Sequence, residues 1–401
     1  MKKILMLGGA YAQIPSIKTA VAMGFHTISC DYLPDNPGHK FAHEYHNVST
    51  TDKEAVLELA KKLKVDGVVC YASDPAAPTA AYVSEKLGLF TSPYKSVEIL
   101  ANKDKFRAFL KDNGFNTPKA KGYSEISEAI KEINDFVLPV IIKPVDSSGS
   151  KGITKLNDVS KLKEQIEYAL SFSRAKRFII EEFIERDGNQ IIGDGFSVNG
   201  KFVFMCFGDN YFDISVMNPF VPVSESFPCT HPKEIQAKVH NEIQRLLTLL
   251  EMKTCAYNIE AVLNKRGEVI LLEVGPRNGG DFMPQVIKYL TGVDMVEYTI
   301  KAAMGMDCSD LKNVEPQGFY SNYVIHSKTD GIFKEFWMDD DFKEKNLVEL
   351  HMFLKSGDSV KAFTGTHNTL GTMILKFSSL HEQQEKIENI ENWAKVIVDD
   401  V

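Results

Sequence analysis

Two glutamates in a predicted β-hairpin have the spacing of a site for a divalent cation. Residues 257–263 and 269–275 are apolar runs on either side of a short turn that contains Gly267, a pattern typical of two paired strands. If the pairing is centred on that turn, Glu260 lies opposite residue 271 or 273, and Glu260 and Glu273 then share one face. Two carboxylates so placed repel each other unless a cation lies between them, and Mg²⁺ prefers such oxygen ligands together with phosphate oxygens. We therefore predict a magnesium site, with solvated surface glutamates as the alternative.

Basic side chains lie at or just after the ends of two predicted strands. Residues 140–143 form an apolar run that ends in Lys143, and the small-residue segment 147–152 comes soon after it. Glycine and serine let backbone N–H groups turn towards a phosphate, and Lys151 adds positive charge. The GxxxxGK[ST] pattern is absent, so this is not a P-loop, and a mobile surface hairpin is the alternative. Arg277 follows the strand of Glu273, and a guanidinium suits a planar carboxylate or a transferring phosphoryl group.

A further strand, at residues 177–184, could bind an aromatic base. Its apolar run is interrupted by Glu181 and Glu182, and Phe183 and Ile184 follow. A strand edge of this type can offer backbone N–H and C=O groups to an adenine ring while apolar side chains enclose the ring. Taken alone, the segment is more typical of an ordinary amphipathic strand.

Residues 205–230 combine aromatic and acidic side chains. The segment is rich in Phe and Tyr and contains Asp209, Asp213 and Glu225. We expect this segment to line the acceptor side of the site, meaning the side where a substrate amine binds, because carboxylates there could hold an ammonium group. Core and surface residues of an ordinary sheet would give the same pattern.

The first 95 residues alternate short apolar strands with helical periods. Strands are predicted at 4–7, 26–30 and 67–70, and helices at 14–23, 55–63 and 76–87. This rhythm predicts a Rossmann-like α/β domain with a parallel sheet and helices on both faces. Gly8 and Gly9 end the first strand and Asp31 follows the second, as in a dinucleotide fold, but residues 8–13 lack the third glycine of that fingerprint. We expect a structural domain that forms one wall of a cleft, and no NAD binding.

The rest of the chain predicts an α+β domain and a small C-terminal domain. Residues 96–113 are predicted as one helix, and strands dominate from 137 to about 310, interrupted by helices near 159–171 and 235–250. Beyond residue 311, strands are predicted at 322–326, 348–354 and 372–377, with a last helix from about 381. The predicted domains are 1–95, 96–310 with a lid subdomain at about 118–185, and 311–401.

Composition excludes several classes of protein. The chain has 401 residues, 44% hydrophobic and 25% charged, which is typical of a globular protein of two or three domains. Its net charge of −8 lacks the basic excess of a nucleic-acid binder. No run approaches the roughly 20 apolar residues of a membrane span, and the six scattered cysteines lack zinc-ligand spacing. We expect free thiols in a reducing cytoplasm, small-molecule partners, and neither nucleic acid nor membrane as a partner. Assembly as a homodimer is compatible with the sequence.

These motifs, in this order, resemble the ATP-grasp superfamily of ATP-dependent carboxylate–amine or carboxylate–thiol ligases. The resemblance covers roughly residues 1–310, and its first part looks like the Rossmann-like domain of biotin-carboxylase-like members. The C-terminal segment is similar, less specifically, to the terminal domain of bacterial amino-acid ligases. The resemblance implies ATP and Mg²⁺ as ligands. It also implies phosphate contacts by Lys103 and Lys143, a lid loop with Ser150, Lys151 and Gly152, an adenine hinge of Glu181, Glu182, Phe183 and Ile184, and metal ligation by Glu260 and Glu273.

Two positions depart from the family pattern. The glutamate that usually holds the ribose hydroxyls aligns with Gln190, and Asp187 is the other candidate. Many members have an asparagine two residues after the second metal glutamate, where this chain has Gly275, so we expect Asn278 to replace it as a metal ligand.

The resemblance implies a ligase in which a substrate carboxylate attacks ATP, giving ADP and an acyl phosphate, and an amine then displaces phosphate. Lys143 and Arg277 are the implied catalytic residues. Three alternatives remain at this point: a bicarbonate-using carboxylase or carbamoyl-phosphate-type enzyme, a non-catalytic nucleotide-binding regulator, and an NAD-dependent oxidoreductase. The intact Lys143, Glu260 and Glu273 argue against the regulator, and the missing third glycine argues against NAD.

Overall fold

The computed structural model describes residues 1–399. The strands are β1 (Lys3–Leu7), β2 (His26–Asp31), β3 (Glu44–Asn47), β4 (Gly67–Cys70), β5 (Ala120–Tyr123), β6 (Val140–Pro144), β7 (Thr154–Leu156), β8 (Phe178–Glu182), β9 (Gln190–Val198), β10 (Lys201–Phe212), β11 (Pro222–Phe227), β12 (Cys255–Leu263), β13 (Val269–Gly275), β14 (Phe319–Ile325), β15 (Gly331–Met338), β16 (Leu347–Met352), β17 (Ser359–Val360), β18 (Gly371–Phe377) and β19 (Ala394–Asp399). The α-helices are α1 (Ile14–Ala22), α2 (Lys53–Leu63), α3 (Ala77–Leu87), α4 (Tyr94–Ala101), α5 (Lys103–Asp112), α6 (Ile126–Glu132), α7 (Leu162–Ser171), α8 (Lys233–Leu249), α9 (Met283–Thr291), α10 (Met295–Ala303), α11 (Asp340–Asn346) and α12 (Leu380–Glu388).

The N-terminal sheet is parallel, with strand order β3-β2-β1-β4. Side chains alternate along β1, so Leu5 and Leu7 pack with α2 and α3, whereas Ile4 and Met6 pack with α1 and α10. The sheet is therefore covered by helices on both faces, which confirms the predicted Rossmann-like arrangement. Strand β3 was not predicted, because its polar sequence Glu-Tyr-His-Asn carries no apolar run.

The loop after β1 is held by Asp31 at the end of β2. The N–H of Gly9 donates to Oδ2 of Asp31 over 3.0 Å, and the side chain of Asn36 donates to the same oxygen over 2.9 Å. Gly8 has a φ of +111°, which favours glycine. The carboxylate of Asp31 thus fixes the shape of this loop.

The predicted helix over 96–113 is wrong, because Asn102 divides the segment into α4 and α5. Asn102 has extended backbone angles, φ −117° and ψ 114°, and its side chain donates to the carbonyl of Glu98 in α4 over 2.8 Å. The break places Lys103 in the first turn of α5, where its N–H donates to the carbonyl of Val145 over 3.0 Å.

Strands β5 to β8 form a separate antiparallel sheet, in the order β5-β8-β6-β7. Helices α6 and α7 pack on it around a small core that includes Ile142, Ile166 and Ile180. The sheet lies within residues 120–182, inside the segment predicted as a lid.

The central sheet has eight strands in the order β13-β12-β9-β10-β11-β14-β18-β16. Helix α8 packs on one face around Val239 and Ile243, and α9 packs on the other around Met283 and Ile287. Helices α9 and α10 correct the prediction that strands dominate up to residue 310. Each is only nine residues long, and α10 carries Val, Tyr, Thr and Ile, which favour strands.

The central sheet continues past residue 311, where the sequence predicted a new domain. Strands β14, β16 and β18 extend it, while β15, β17 and β19 form a small sheet of their own. The C-terminal segment is therefore joined to the preceding part by backbone hydrogen bonds between β11 and β14.

The six cysteines are all free thiols. Within residues 1–399, no helix has both the length and the apolar composition needed to cross a membrane.

Candidate active site

A cavity of about 1080 Å³ lies where the N-terminal sheet, the lid sheet and the central sheet meet. Its walls include the loop at Gly8, the segment Ser73 to Pro75, the strand end at Lys143 and the hairpin carrying Glu260 and Glu273. The C-terminal segment closes one side, where the rings of Tyr11 and Phe353 stack with centroids 4.2 Å apart. Every domain predicted from the sequence therefore contributes to one cavity.

Glu260 and Glu273 lie directly opposite each other on β12 and β13, as predicted from the turn. Burial, and then the charge of Glu273, raises the pKa of Glu260 to about 7. The amide of Gln190 donates to Oε2 of Glu260 over 2.9 Å, and Nζ of Lys103 lies 3.0 Å from Oε2 of Glu273. Such a pair of half-buried carboxylates fits a hard divalent cation, whose charge would offset their repulsion.

A network of charged side chains fixes the lysines of this wall. Lys143 forms an ion pair with Oε1 of Glu181, and Nε of Arg107 donates to Oε2 over 2.8 Å. Burial raises the pKa of Glu181, but the charges of Arg107 and Lys143 outweigh it and lower that pKa to about 2. Lys103 also donates to the carbonyl of Ser147 over 3.1 Å. The carboxylate of Glu181 therefore holds the side chains of Lys143 and Arg107 in place. The sequence predicted Glu181 as part of an adenine hinge and did not predict this role.

The predicted hinge lines the cavity along residues 181–184. Two of its N–H groups are used within the protein: that of Glu182 donates to the carbonyl of Lys119, and that of Phe183 to the carbonyl of Pro139. Nζ of Lys155 lies 3.7 Å from the centre of the Phe183 ring. These two N–H groups are therefore not free for a base, and the apolar surface of Phe183 and Ile184 is what the hinge offers.

The loop between β6 and β7 is closed over the cavity by two other segments. Oγ of Ser150 donates to the carbonyl of Phe220 over 2.9 Å, and Asn218 donates to the carbonyl of Ser150 over 3.1 Å. A Cβ at Gly149 would lie 2.0 Å from Oγ1 of Thr366, so only glycine allows this approach. Lys151 lines the cavity, and burial lowers the pKa of its ammonium.

Arg277 is held by a carboxylate from the N-terminal domain. Its Nε and Nη2 donate to the two carboxylate oxygens of Asp74 over 2.6 and 2.5 Å, and Nη1 donates to the carbonyl of Asn278 over 2.9 Å. Three of the five N–H donors of a guanidinium are thus used, and two remain for a ligand.

The family model for the ATP-grasp domain matches residues 100–281. Residues 100–281 are an ATP-grasp domain. This stretch carries Lys103, Lys143 and both glutamates of the hairpin, and the match confirms the ATP-grasp assignment for these residues.

Several known proteins are similar to most of this chain, in sequence or in fold. The alanine–anticapsin ligase of Bacillus subtilis is 23% identical over 390 residues, covering 89% of this chain and 82% of that protein. The carbamoyl phosphate synthase large chain of Caldanaerobacter subterraneus is 25% identical over 266 residues and 64% of this chain, which spans about a quarter (24%) of that protein's length. The crystal structure of an L-amino acid ligase from Bacillus licheniformis superposes with a TM-score of 0.83 at 20% identity, covering 100% of this chain and 99% of that one. The predicted fold is confirmed.

One predicted metal ligand of the ATP-grasp site is wrong. Asn278 is fully buried and does not line the cavity. Its Oδ1 accepts a hydrogen bond of 2.7 Å from the hydroxyl of Thr299 on α10. The chain turns at Gly275 and Arg277, so the side chain of residue 278 points into the protein.

Of the residues predicted to hold the ribose or to form the lid loop, some line the cavity and others do not. Gln190 lines the cavity, whereas Asp187 is exposed at 3.4 Å from Nζ of Lys265. Gly152 does not line the cavity, and a Cβ there would lie 3.0 Å from the ring of Phe172.

Of the three acidic residues predicted for the acceptor side, only Glu225 lines the ATP-grasp cavity. Asp209 is buried and accepts the N–H of Thr230 over 2.9 Å. Asp213 lies 3.5 Å from Nε2 of His326. The expectation for Asp209 and Asp213 is therefore wrong.

Sequence reasoning missed three residues of the site. Arg107 lies four residues after Lys103 on α5, a spacing that places both on one helix face and that could have drawn attention to it. Arg107 reaches the site through Glu181, whereas Asp74 and Asp281 line the cavity directly, and no motif marks either of these two.

Proposed function

We propose that this ATP-grasp protein is an ATP-dependent carboxylate–amine ligase that works through an acyl phosphate. The observation that carries the proposal is the common wall formed by Glu260, Glu273, Lys103 and Arg277, where opposed carboxylates adjoin cations. Phosphoryl transfer asks mainly for such fixed charges, because its transition state spreads negative charge over several oxygens.

ATP and Mg²⁺ are the ligands of the ATP-grasp domain. We assign the metal to Glu260 and Glu273, and the nucleotide phosphates to Lys103, Lys143 and Lys151. When bound, Mg²⁺ supplies positive charge that neutralises phosphate oxygens. Phe183 and Ile184 are assigned to the adenine ring, and Gln190 remains the candidate for the ribose hydroxyls.

In the proposed reaction, an oxygen of the substrate carboxylate attacks the γ-phosphorus of ATP. The bond from that phosphorus to the β–γ bridging oxygen breaks, which releases ADP and leaves an acyl phosphate. The amine nitrogen then attacks the acyl carbon, phosphate leaves, and the nitrogen loses a proton. The two free N–H donors of Arg277 are assigned to the oxygens that carry charge during these steps.

Exclusion of water is the second requirement of this chemistry, because an acyl phosphate hydrolyses. The Ser150 loop, held by Asn218 and Phe220, closes over the cavity. We assign to it the role of a lid that opens for substrate entry. The six free thiols fit our further proposal that the enzyme works in the reducing cytoplasm.

Trapping with hydroxylamine tests the proposal without knowledge of the amine. Acyl phosphates react with hydroxylamine to give hydroxamates, so the enzyme, ATP, Mg²⁺ and a panel of carboxylic acids should give ADP and a coloured iron–hydroxamate complex with at least one acid. AMP as the product, or no hydroxamate with any acid of the panel, would contradict the proposal. ADP formed only with bicarbonate would favour the carboxylase or carbamoyl-phosphate alternative.

A further inference from the structure

Two carboxylates that line the cavity have neither a cation beside them nor a role assigned above. Among the carboxylates that line it, Asp74 pairs with Arg277, Glu181 with Lys143 and Arg107, and Glu273 with Lys103. Asp31 and Glu182 accept backbone N–H groups, and Glu260 is assigned to the metal. Glu225 and Asp281 remain, and no lysine, arginine or histidine nitrogen of residues 1–399 lies within 4.0 Å of their oxygens.

Asn322 links the carboxylate of Glu225 to the backbone of Asp281. It lies opposite Glu225 on the neighbouring strand, and its Nδ2 donates to Oε2 of Glu225 over 2.5 Å and to the carbonyl of Asp281 over 2.9 Å. Its Oδ1 accepts the N–H of Glu225 over 2.7 Å. The amide therefore fixes the Glu225 carboxylate beside the Asp281 backbone without neutralising its charge.

Two buried polar side chains near the pair also lack partners. Thr372 is fully buried and lines the cavity, and its hydroxyl has no hydrogen bond within the described part of the chain. It lies opposite Val324, two residues from Asn322 on the same face. Asn210, directly opposite Glu225, is 3% exposed and both its amide atoms are unpaired. Buried polar groups are nearly always hydrogen-bonded, and the hydroxyl of Thr372, which lines the cavity, is open to a polar partner there.

The electrostatics of the pair favour a positively charged ligand. Burial, and then the charge of Asp281, raises the pKa of Glu225 well above its usual value. Burial raises the pKa of Asp281 to about 6, although the charge of Arg277 opposes it. A cation between the two carboxylates would reverse both effects, whereas an anion would strengthen them.

We propose that Glu225 and Asp281 bind the ammonium group of the acyl donor, so that the donor is an acid that also carries an amino group. This inference rests on the proposed function and narrows its substrate class. An ammonium held between two carboxylates keeps its proton, and its nitrogen then has no lone pair for attack. The group bound here is therefore a recognition group, and the attacking amine binds elsewhere in the cavity.

The test compares acids that differ only in the amino group. The hydroxylamine assay is run with L-amino acids, β-alanine and γ-aminobutyrate, each beside the matching acid that lacks nitrogen. We expect the acid that gives most hydroxamate to be preferred over its nitrogen-free partner by about a hundredfold in kcat/KM. In Glu225→Gln and in Asp281→Asn this preference should fall by at least about tenfold, as expected for loss of a charge-assisted hydrogen bond, while the KM for ATP stays within about twofold.

Asp213→Asn is the matched control, because Asp213 belongs to the same segment but lies outside the cavity, and it should keep the full preference. Equal use of both acids by the native enzyme would overturn the subsite while leaving the ligase proposal intact. An equal loss with both acids in Glu225→Gln would also overturn it, because that result would indicate a base for the attacking amine or a structural role. No hydroxamate with any acid would instead contradict the ligase proposal itself.

Discussion

The cavity holds two groups of carboxylates that differ in how their charge is balanced. The paired group, Glu181, Asp74 and Glu273, contacts arginine and lysine side chains at 3.0 Å or less. In the unpaired group, Glu225 and Asp281, the carboxylate of Glu225 accepts from the amide of Asn322, and neither carboxylate has a lysine, arginine or histidine partner within residues 1–399. The paired group fixes cations before any ligand arrives, whereas no cationic side chain balances the charge of the unpaired group.

The comparison separates carboxylates that hold other side chains in position from carboxylates that we propose to recognise a substrate. A buried ion pair is weak support for stability in itself, but removing one partner leaves the other buried and uncompensated. We therefore expect changes in the paired group to affect stability or the rate with every substrate. Changes in the unpaired group should affect the choice of substrate.

The largest effect is expected for Glu181→Gln, which leaves Arg107 and Lys143 without their carboxylate. All three residues are less than a tenth exposed, so the free energy of unfolding should fall by about 3 kcal/mol. The neighbouring Glu182→Gln is the control, because Glu182 accepts only the N–H of Val137. Thermal and denaturant unfolding measure both variants, and equal stability of the two would contradict the anchoring role.

Glu273→Gln should lower ATP turnover by about a hundredfold or more, because loss of a charge at the metal site costs on the order of 3 kcal/mol. The metal-free variant should melt within a few degrees of the parent, since relief of repulsion with Glu260 offsets the lost pair with Lys103. Steady-state assays measure the ATP turnover, and melting curves measure the stability. Glu268→Gln, in the turn of the same hairpin, is the control, and full activity of Glu273→Gln would disprove the metal assignment.

Asp74→Asn should lower kcat by about tenfold, because Arg277 loses the bidentate partner that orients it. The KM for ATP should change little, since Asp74 acts through Arg277, and Asp74→Glu should recover part of the rate. Asp66→Asn, an exposed carboxylate of the same domain, is the control. A loss confined to KM would contradict a positioning role.

The smallest expected effect concerns the pH dependence of Glu260, whose pKa is raised to about 7 by burial and then by Glu273. Because the folded protein holds this proton more tightly than the unfolded chain, the metal-free protein should lose stability as pH rises from about 4.5 to about 7. Mg²⁺ binds the deprotonated form, so its apparent affinity should rise over the same range. Melting curves with and without Mg²⁺ between pH 5 and 8 test both trends, and Glu260→Gln should remove them. The reverse slope in the parent would contradict the assigned pKa.

Local pairing made part of the site predictable. Glu260 and Glu273 could be placed together because a hairpin with a short turn has few registers. Lys143 and Ser150 could be singled out because a strand end and a small-residue loop are adjacent in the chain.

The rest depended on contacts between distant segments. Asp74 and Arg277 are 203 residues apart, and Arg107 and Glu181 are 74 apart, so no sequence window joins them. Asn278 was misplaced because the turn after β13 decides which side chain faces the cavity. The continuation of the central sheet through β14 was also hidden, because pairing of β11 with β14 spans about a hundred residues.

Transfer of ¹⁸O from the substrate carboxylate tests the central claim, the acyl phosphate, most directly. The acid that gives most hydroxamate is labelled in both carboxylate oxygens and incubated with enzyme, ATP, Mg²⁺ and an amine. In the proposed reaction a carboxylate oxygen forms the bond to the γ-phosphorus and leaves with it, so each inorganic phosphate released should carry one ¹⁸O atom by mass spectrometry. Phosphate without label, formed together with product, would contradict the account.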